Sequence, residues 1–303
     1  MTGAGRARGR WPGAAVALAI VFALVVAACS PESPQATATS TEPPAPTPAV
    51  TLYQLNTSVW YAGLVLTFAS ATAIFDPSGG TLTVLLRMDN PGSDDLTFEG
   101  PMRITAGAEG FDPVHGTTFP TVTAGGTTEV LVTFDIPGRP SVDDAVIRVG
   151  RSDANQAILP FGTGLPKLTT LEPVPITLKG SANAADLRVT LKSGELRWDL
   201  PDWADELPVG RAALTLTYDA TYRGTFSGGL AFTGDNVRLT LPDGSIVGPR
   251  PDGRSQSVTL LLPNKPQLGL STRFEVPSGM PGKYVLVIRN GSTRASLPFT
   301  VPG

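Results

Sequence analysis

Leu82, Val84, Leu86 and Met88 alternate with Thr81, Thr83, Leu85 and Arg87, and the turn sequence Asp89-Asn90-Pro91-Gly92 follows at once. An apolar residue at every second position gives a strand one buried and one wet face, the habit of antiparallel sheets. Val130, Val132 and Phe134 repeat the pattern ahead of Pro137-Gly138. Leu214, Leu216 and Tyr218 do so again, as do Leu239 and Leu241 before Pro242-Asp243-Gly244. Thr272, Phe274 and Val276 continue it, with Thr272 expected as a buried hydroxyl. Beyond residue 28 no segment keeps a long 3.6-residue apolar period, and 33 glycines and 29 prolines interrupt the chain too often for long helices. The expected fold class is all-β, with short antiparallel strands packed as β-sandwiches.

The pattern occurs twice. Val132-Thr133-Phe134-Asp135-Ile136-Pro137 matches Thr272-Arg273-Phe274-Glu275-Val276-Pro277. A β-branched strand follows each, Ala145 to Val149 and then Tyr284 to Arg289. Ala157-Ile158-Leu159-Pro160-Phe161 closes the first half as Ala295-Ser296-Leu297-Pro298-Phe299 closes the second. The openings correspond too, Leu64 to Phe68 against Leu187 to Leu191. Four landmarks in one order predict two tandem domains, 51–164 and 170–303, joined at Gly162-Thr163-Gly164-Leu165-Pro166.

A strand ending in Asp89-Asn90-Pro91-Gly92, then Val130 to Pro137 and a closing β-branched strand, resembles the immunoglobulin-like domains of bacterial exported proteins. These include the DUF4352-type domains and related secreted antigens of mycobacteria. The resemblance spans both halves and is clearer in the first, because Tyr218-Asp219-Ala220-Thr221-Tyr222 stands where the second copy of the turn is expected. It implies two tandem immunoglobulin-like sandwiches in a secreted or surface-held protein, and carries little about chemistry.

The amino-terminal region predicts location. Arg6, Arg8 and Arg10 precede an uncharged run from Ala14 to Ala28, of the length of a secretory signal and short for a membrane-spanning helix. Leu24-Val25-Val26-Ala27-Ala28-Cys29 resembles the lipobox of bacterial lipoproteins, which implies a signal peptide over 1–28 and Cys29 as lipid acceptor and first mature residue. Cys29 is the single cysteine, so no disulfide can form within the chain. Residues 29–50 then read as a disordered tether, since proline, threonine, serine and alanine dominate and bury too little apolar surface to order the segment. The expected place is the extracytoplasmic face of a cell membrane, held through lipid in the bilayer.

Charge narrows the partners. The chain has 23 basic and 26 acidic residues, and three of the arginines lie in 1–28, so the remainder carries 20 against 26, net −6. That balance argues against nucleic acid. A serine–histidine–acid triad would rest on His115 alone, in the loop-like Asp112-Pro113-Val114-His115-Gly116. No thiol pair or second imidazole offers zinc a site, neither Asp94-Asp95 nor Asp235-Asn236 has calcium-loop spacing, and no glycine pattern predicts a nucleotide. No metal, cofactor or catalytic residue is therefore assigned.

Two stretches remain as candidate sites. Trp198, Asp199, Asp202, Trp203, Asp205 and Glu206 interleave indoles with carboxylates, a combination that can stack on a sugar ring while accepting its hydroxyls, or hold calcium weakly. The bland alternative makes Trp198 the core residue ending a strand and 201–208 an acidic excursion. Tyr218, Tyr222 and Phe226 either pack internally or form a protein-binding patch. The leading expectation is a non-enzymatic, membrane-anchored binding or assembly module facing an envelope protein or glycan. The alternatives are a carbohydrate-active or calcium-dependent surface protein centred on Trp198–Glu206, and a purely structural spacer.

Overall fold

The computed structural model describes residues 48–138, 141–162, 166–200, 206–250 and 258–302. The expected signal peptide, Cys29 and the expected tether up to residue 47 lie outside them, as do Asp202, Trp203 and Asp205. Pro46–Gly303 is one compact unit.

The described residues form an all-β structure of discrete sheets in two β-rich halves. Three long strands open the first: β1 (Ala49–Tyr61), β2 (Leu64–Asp76) and β3 (Gly79–Asp89). Short strands follow as β4 (Leu96–Thr97), β5 (Met102–Ala106), β6 (Glu109–Phe111) and β7 (Thr121–Val122). The half ends with β8 (Thr127–Pro137), β9 (Val146–Val149) and β10 (Ala157–Pro160). Its sheets run β1-β2-β3-β8 and β10-β9-β5-β6, with β4 paired to β7.

The second half begins with β11 (Val174–Thr177), β12 (Ser181–Ala184), β13 (Leu187–Arg197) and β14 (Arg211–Tyr222). It continues through β15 (Leu230–Phe232), β16 (Val237–Thr240), β17 (Ile246–Val247) and β18 (Thr259–Leu261). It closes with β19 (Gln267–Pro277), β20 (Gly282–Asn290) and β21 (Thr293–Val301). Its sheets run β11-β13-β14-β19, with β12 also on β13, and β21-β20-β16-β17, with β15 paired to β18.

From β2 and β13 onward the two halves therefore carry one strand order: β3 corresponds to β14, β8 to β19, β9 to β20 and β10 to β21. The matched sequence landmarks fall on corresponding strands. Period-two patterning explains why. Leu82, Val84, Leu86 and Met88 are all buried on β3, as are Leu214, Leu216 and Tyr218 on β14. Buried side chains from both principal sheets of the first half gather into one core, including Leu66, Leu86, Phe134, Ile104 and Ile147. A separate core does the same in the second half with Leu191, Leu216, Phe274, Leu239 and Leu286. Thr272 is buried as expected, and its hydroxyl meets Tyr218 Oη at 2.6 Å.

Two local outcomes differ from the sequence reading. β1 starts at Ala49, inside the stretch assigned to the tether, because Ala49 and Val50 pair with Phe75 and Ile74. Turns also diverge between the halves. After β3, the buried Asn90 donates through Nδ2 to the carbonyls of Asp94 and Val122 and accepts from the Gly92 amide, which holds the bend. The counterpart residues Tyr218 to Tyr222 stay in β14, since Tyr218, Ala220 and Tyr222 all point into the core.

Candidate functional site

β2 passes to β3 through only Pro77 and Ser78, whereas the corresponding link from β13 to β14 spans residues 198–210. The strongest acidic–aromatic group in the sequence therefore lies on an enlarged hairpin connection. That connection grips the first half.

Asp199 is 4 % exposed and lies two residues beyond Arg197, whose guanidinium reaches it at 3.1 Å. The same carboxylate accepts the Gly63 amide hydrogen at 3.1 Å, at the tight turn between β1 and β2. Glu206 accepts from Tyr61 Oη through one oxygen and from the Arg151 amide at 3.1 Å through the other. Burial, and then the bonded Glu206 carboxylate, push the Tyr61 phenol far above its usual range. Asn155 ties the two chains of the link together. Its Nδ2 donates to the carbonyls of Trp198 (2.9 Å) and Arg211 (2.8 Å), and its Oδ1 accepts from the Gly210 amide. Main-chain bonds join Asn155 N to Leu207 O at 3.0 Å and Val209 N to Asp153 O at 3.4 Å. Leu200, Leu207 and Ala213 make a small apolar cluster of their own, and the half-buried Trp198 packs against both main cores.

This geometry places Trp198, Asp199 and Glu206 at the junction of the two halves. Both carboxylates are engaged by groups of the first half, and the indole is wedged between cores. Tyr61, Arg151 and Asn155 are the partners that sequence reasoning missed. Asn155 carried no local signal, because its acceptors lie 43 and 56 residues further along the chain.

The aromatic stretch divides. Tyr218 and Tyr222 are buried in the second core, the internal packing that is one of their two expected roles, while Phe226 is 67 % exposed. Burial raises the Tyr218 phenol to about 12. His115 is exposed in a loop. Asp95 accepts the Ala124 amide hydrogen at 2.9 Å, and Asp143 and Asp144 lie in a short 3-10 turn. Among the described residues, no group of three or more histidine, cysteine or acidic side chains is placed to hold a metal ion. No described helix is long and apolar enough to cross a membrane.

A cleft of about 530 Å³ opens beside the clasp, lined among others by Trp60, Pro91, Asp94, Glu172, Glu195 and Arg197. Arg197 is already shared between Asp199 and Glu195, the latter at 3.6 Å. The Trp60 indole nitrogen is buried and has no hydrogen-bond partner among the described residues.

No family model matches this chain, and no curated protein matches it. Among solved structures, the chain is similar to one described as the crystal structure of the conserved domain protein from Bacillus anthracis, at 9 % identity. That match covers 82 % of this chain and 90 % of the other, with a TM-score of 0.24, too low to support any inference about fold or function.

Proposed function

We propose that this chain is a membrane-anchored, extracytoplasmic binding or assembly module without catalytic activity, built from two immunoglobulin-like β-sandwich domains. The observation that carries the reading is the clasp: Asp199 and Glu206, the best-placed acids for chemistry, are consumed in fixing one half on the other. A rigid pair of like-ordered bodies suits presentation of surfaces. Two sheets feeding one core in each half support the sandwich arrangement. The lipobox-like run ending at Cys29 supports a lipid anchor, and the proline-rich stretch after it supports a spacer. The partner is an envelope protein or glycan.

Crosslinking on intact envelopes followed by affinity capture tests the module reading, which predicts a reproducible partner that a chain with Asp199→Ala and Glu206→Ala captures less well. Recovery of no partner by either chain counts against it. Metabolic labelling with a fatty acid tests the anchor: the natural chain takes up label and Cys29→Ala does not.

A further inference from the structure

The two free poles of the molecule are complementary in charge, and both expose apolar side chains. Strand direction defines the poles. β1 runs from Ala49 toward Tyr61, next to the clasp, so Ala49 and the Pro77-Ser78 turn lie at the opposite, free pole of the first half. β14 leaves the clasp at Arg211 and ends 11 residues later at Tyr222, about 37 Å away, at the free pole of the second half.

At the free pole of the second half, Phe226 (67 %), Leu260 (53 %) and Leu268 (70 %) stand exposed. Strand correspondence supplies an internal comparison. The outward pair on β4 and β7 is Thr97 with Thr121, joined through their hydroxyls at 2.7 Å. The outward pair at the same position on β15 and β18 is Ala231 with Leu260. The second half has thus replaced a polar pair by an apolar one. Arg223 and Lys265 flank this patch, brought together because Asn264 N donates to Tyr222 O at 2.7 Å. Of the nearby acids among the described residues, Asp219 is paired with Lys192 and Asp235 with Arg238, which leaves Asp186.

The free pole of the first half is the counterpart. Glu109 at the start of β6 and Asp143 and Asp144 ahead of β9 flank the end of β5 there, because Ala106 pairs with Glu109 and Thr105 with Val146. Val50 (66 %), Leu52 (60 %) and Ile74 (41 %) are exposed on the outer face of the adjoining sheet, with Val50 directly opposite Ile74.

We propose that the basic, apolar pole of the second half docks on the acidic pole of the first half of a second copy, giving a head-to-tail assembly. Opposite charge at the two ends favours this orientation, while tip-to-tip docking would bring Arg223 and Lys265 against themselves. Such a contact is heterologous and continues from copy to copy unless a ring closes. It names the partner within the assembly reading above. That reading survives if envelope capture returns another protein while the chain stays monomeric.

Sedimentation of the full chain over a concentration series tests the contact. Mass is expected to rise with concentration at low salt and to fall toward the monomer at high salt. Phe226→Asp with Leu268→Asp should abolish the rise; both positions are exposed, so unfolding midpoints should hold. Arg223→Glu/Lys265→Glu and Glu109→Lys/Asp144→Lys should each weaken association at least about tenfold, and an equimolar mixture of these two chains should regain head-to-tail association with the two chains alternating. A monomer at every concentration overturns the proposal. So does association indifferent to all these substitutions, which would belong to the amino-terminal segment, and so does failure of the mixture to associate.

Discussion

Asp199 of the second half accepts the amide hydrogen of Gly63 in the first, 136 residues earlier, while Arg197 holds the same carboxylate from the other side. Removing the carboxylate leaves a guanidinium with little exposure and, among the described residues, the more distant Glu195. Asp199→Ala is therefore expected to cost about 3 kcal/mol, the scale of a buried pair stripped of one partner. Denaturant unfolding measures the loss. Limited proteolysis should also cut more readily between the halves than in the natural chain.

Tyr61 and Tyr218 predict alkaline sensitivity. Both phenols are raised in the folded state, chiefly by burial, so the folded chain keeps protons that the unfolded chain releases above pH 10. Their stabilising contribution is complete below pH 10 and falls as pH rises beyond it. Each tyrosine contributes a slope of roughly 1.4 kcal/mol per pH unit, which for Tyr218 ends near pH 12. Thermal unfolding between pH 8 and about 11.5 should show the decline, and Tyr61→Phe should make it shallower.

The hydroxyls of Tyr218 and Thr272, 2.6 Å apart and buried, satisfy each other. Tyr218→Phe or Thr272→Val alone leaves one orphan and should cost about 1–2 kcal/mol. The double variant should cost less than the sum. Additive losses in a double-mutant cycle would contradict the pairing.

Gly150 has φ of +108°, and a Cβ there would lie 2.9 Å from the Asn155 carbonyl oxygen and 2.9 Å from the Tyr61 ring. Gly150→Ala forces strain and a clash at two members of the clasp together. The expected loss is about 2–4 kcal/mol. Gly107→Ala, with positive φ but open space around it, should cost less than half as much.

The sheets were legible in the sequence because burial in a strand has a two-residue period that needs no knowledge of the partner. Leu82 to Met88 announces β3 whichever strand lies beside it. Tyr222 could have been placed in the core by carrying the alternation of Leu214, Leu216 and Tyr218 two steps further, and Phe226 falls outside that run. The clasp was not legible. Trp198, Asp199 and Glu206 look alike in sequence whether their oxygens face a ligand or Gly63 and Tyr61, and only the docking of the halves distinguishes these cases. The repeated landmarks predicted two like halves, but one hairpin link is two residues long and its counterpart thirteen, and no residue pattern announces that difference.

β1 has a mechanical consequence as well. It enters at Ala49 and runs lengthwise along β2, with Cα partners from Ala49–Phe75 to Tyr61–Leu64. A pull on the chain ahead of Ala49, directed along the strand and away from the clasp, loads these rungs side by side, as shear, and they must yield together. Drawn sideways, the same strand would peel one rung at a time. A body fastened by this end thus resists a steady axial load best in the direction that its own first strand marks out.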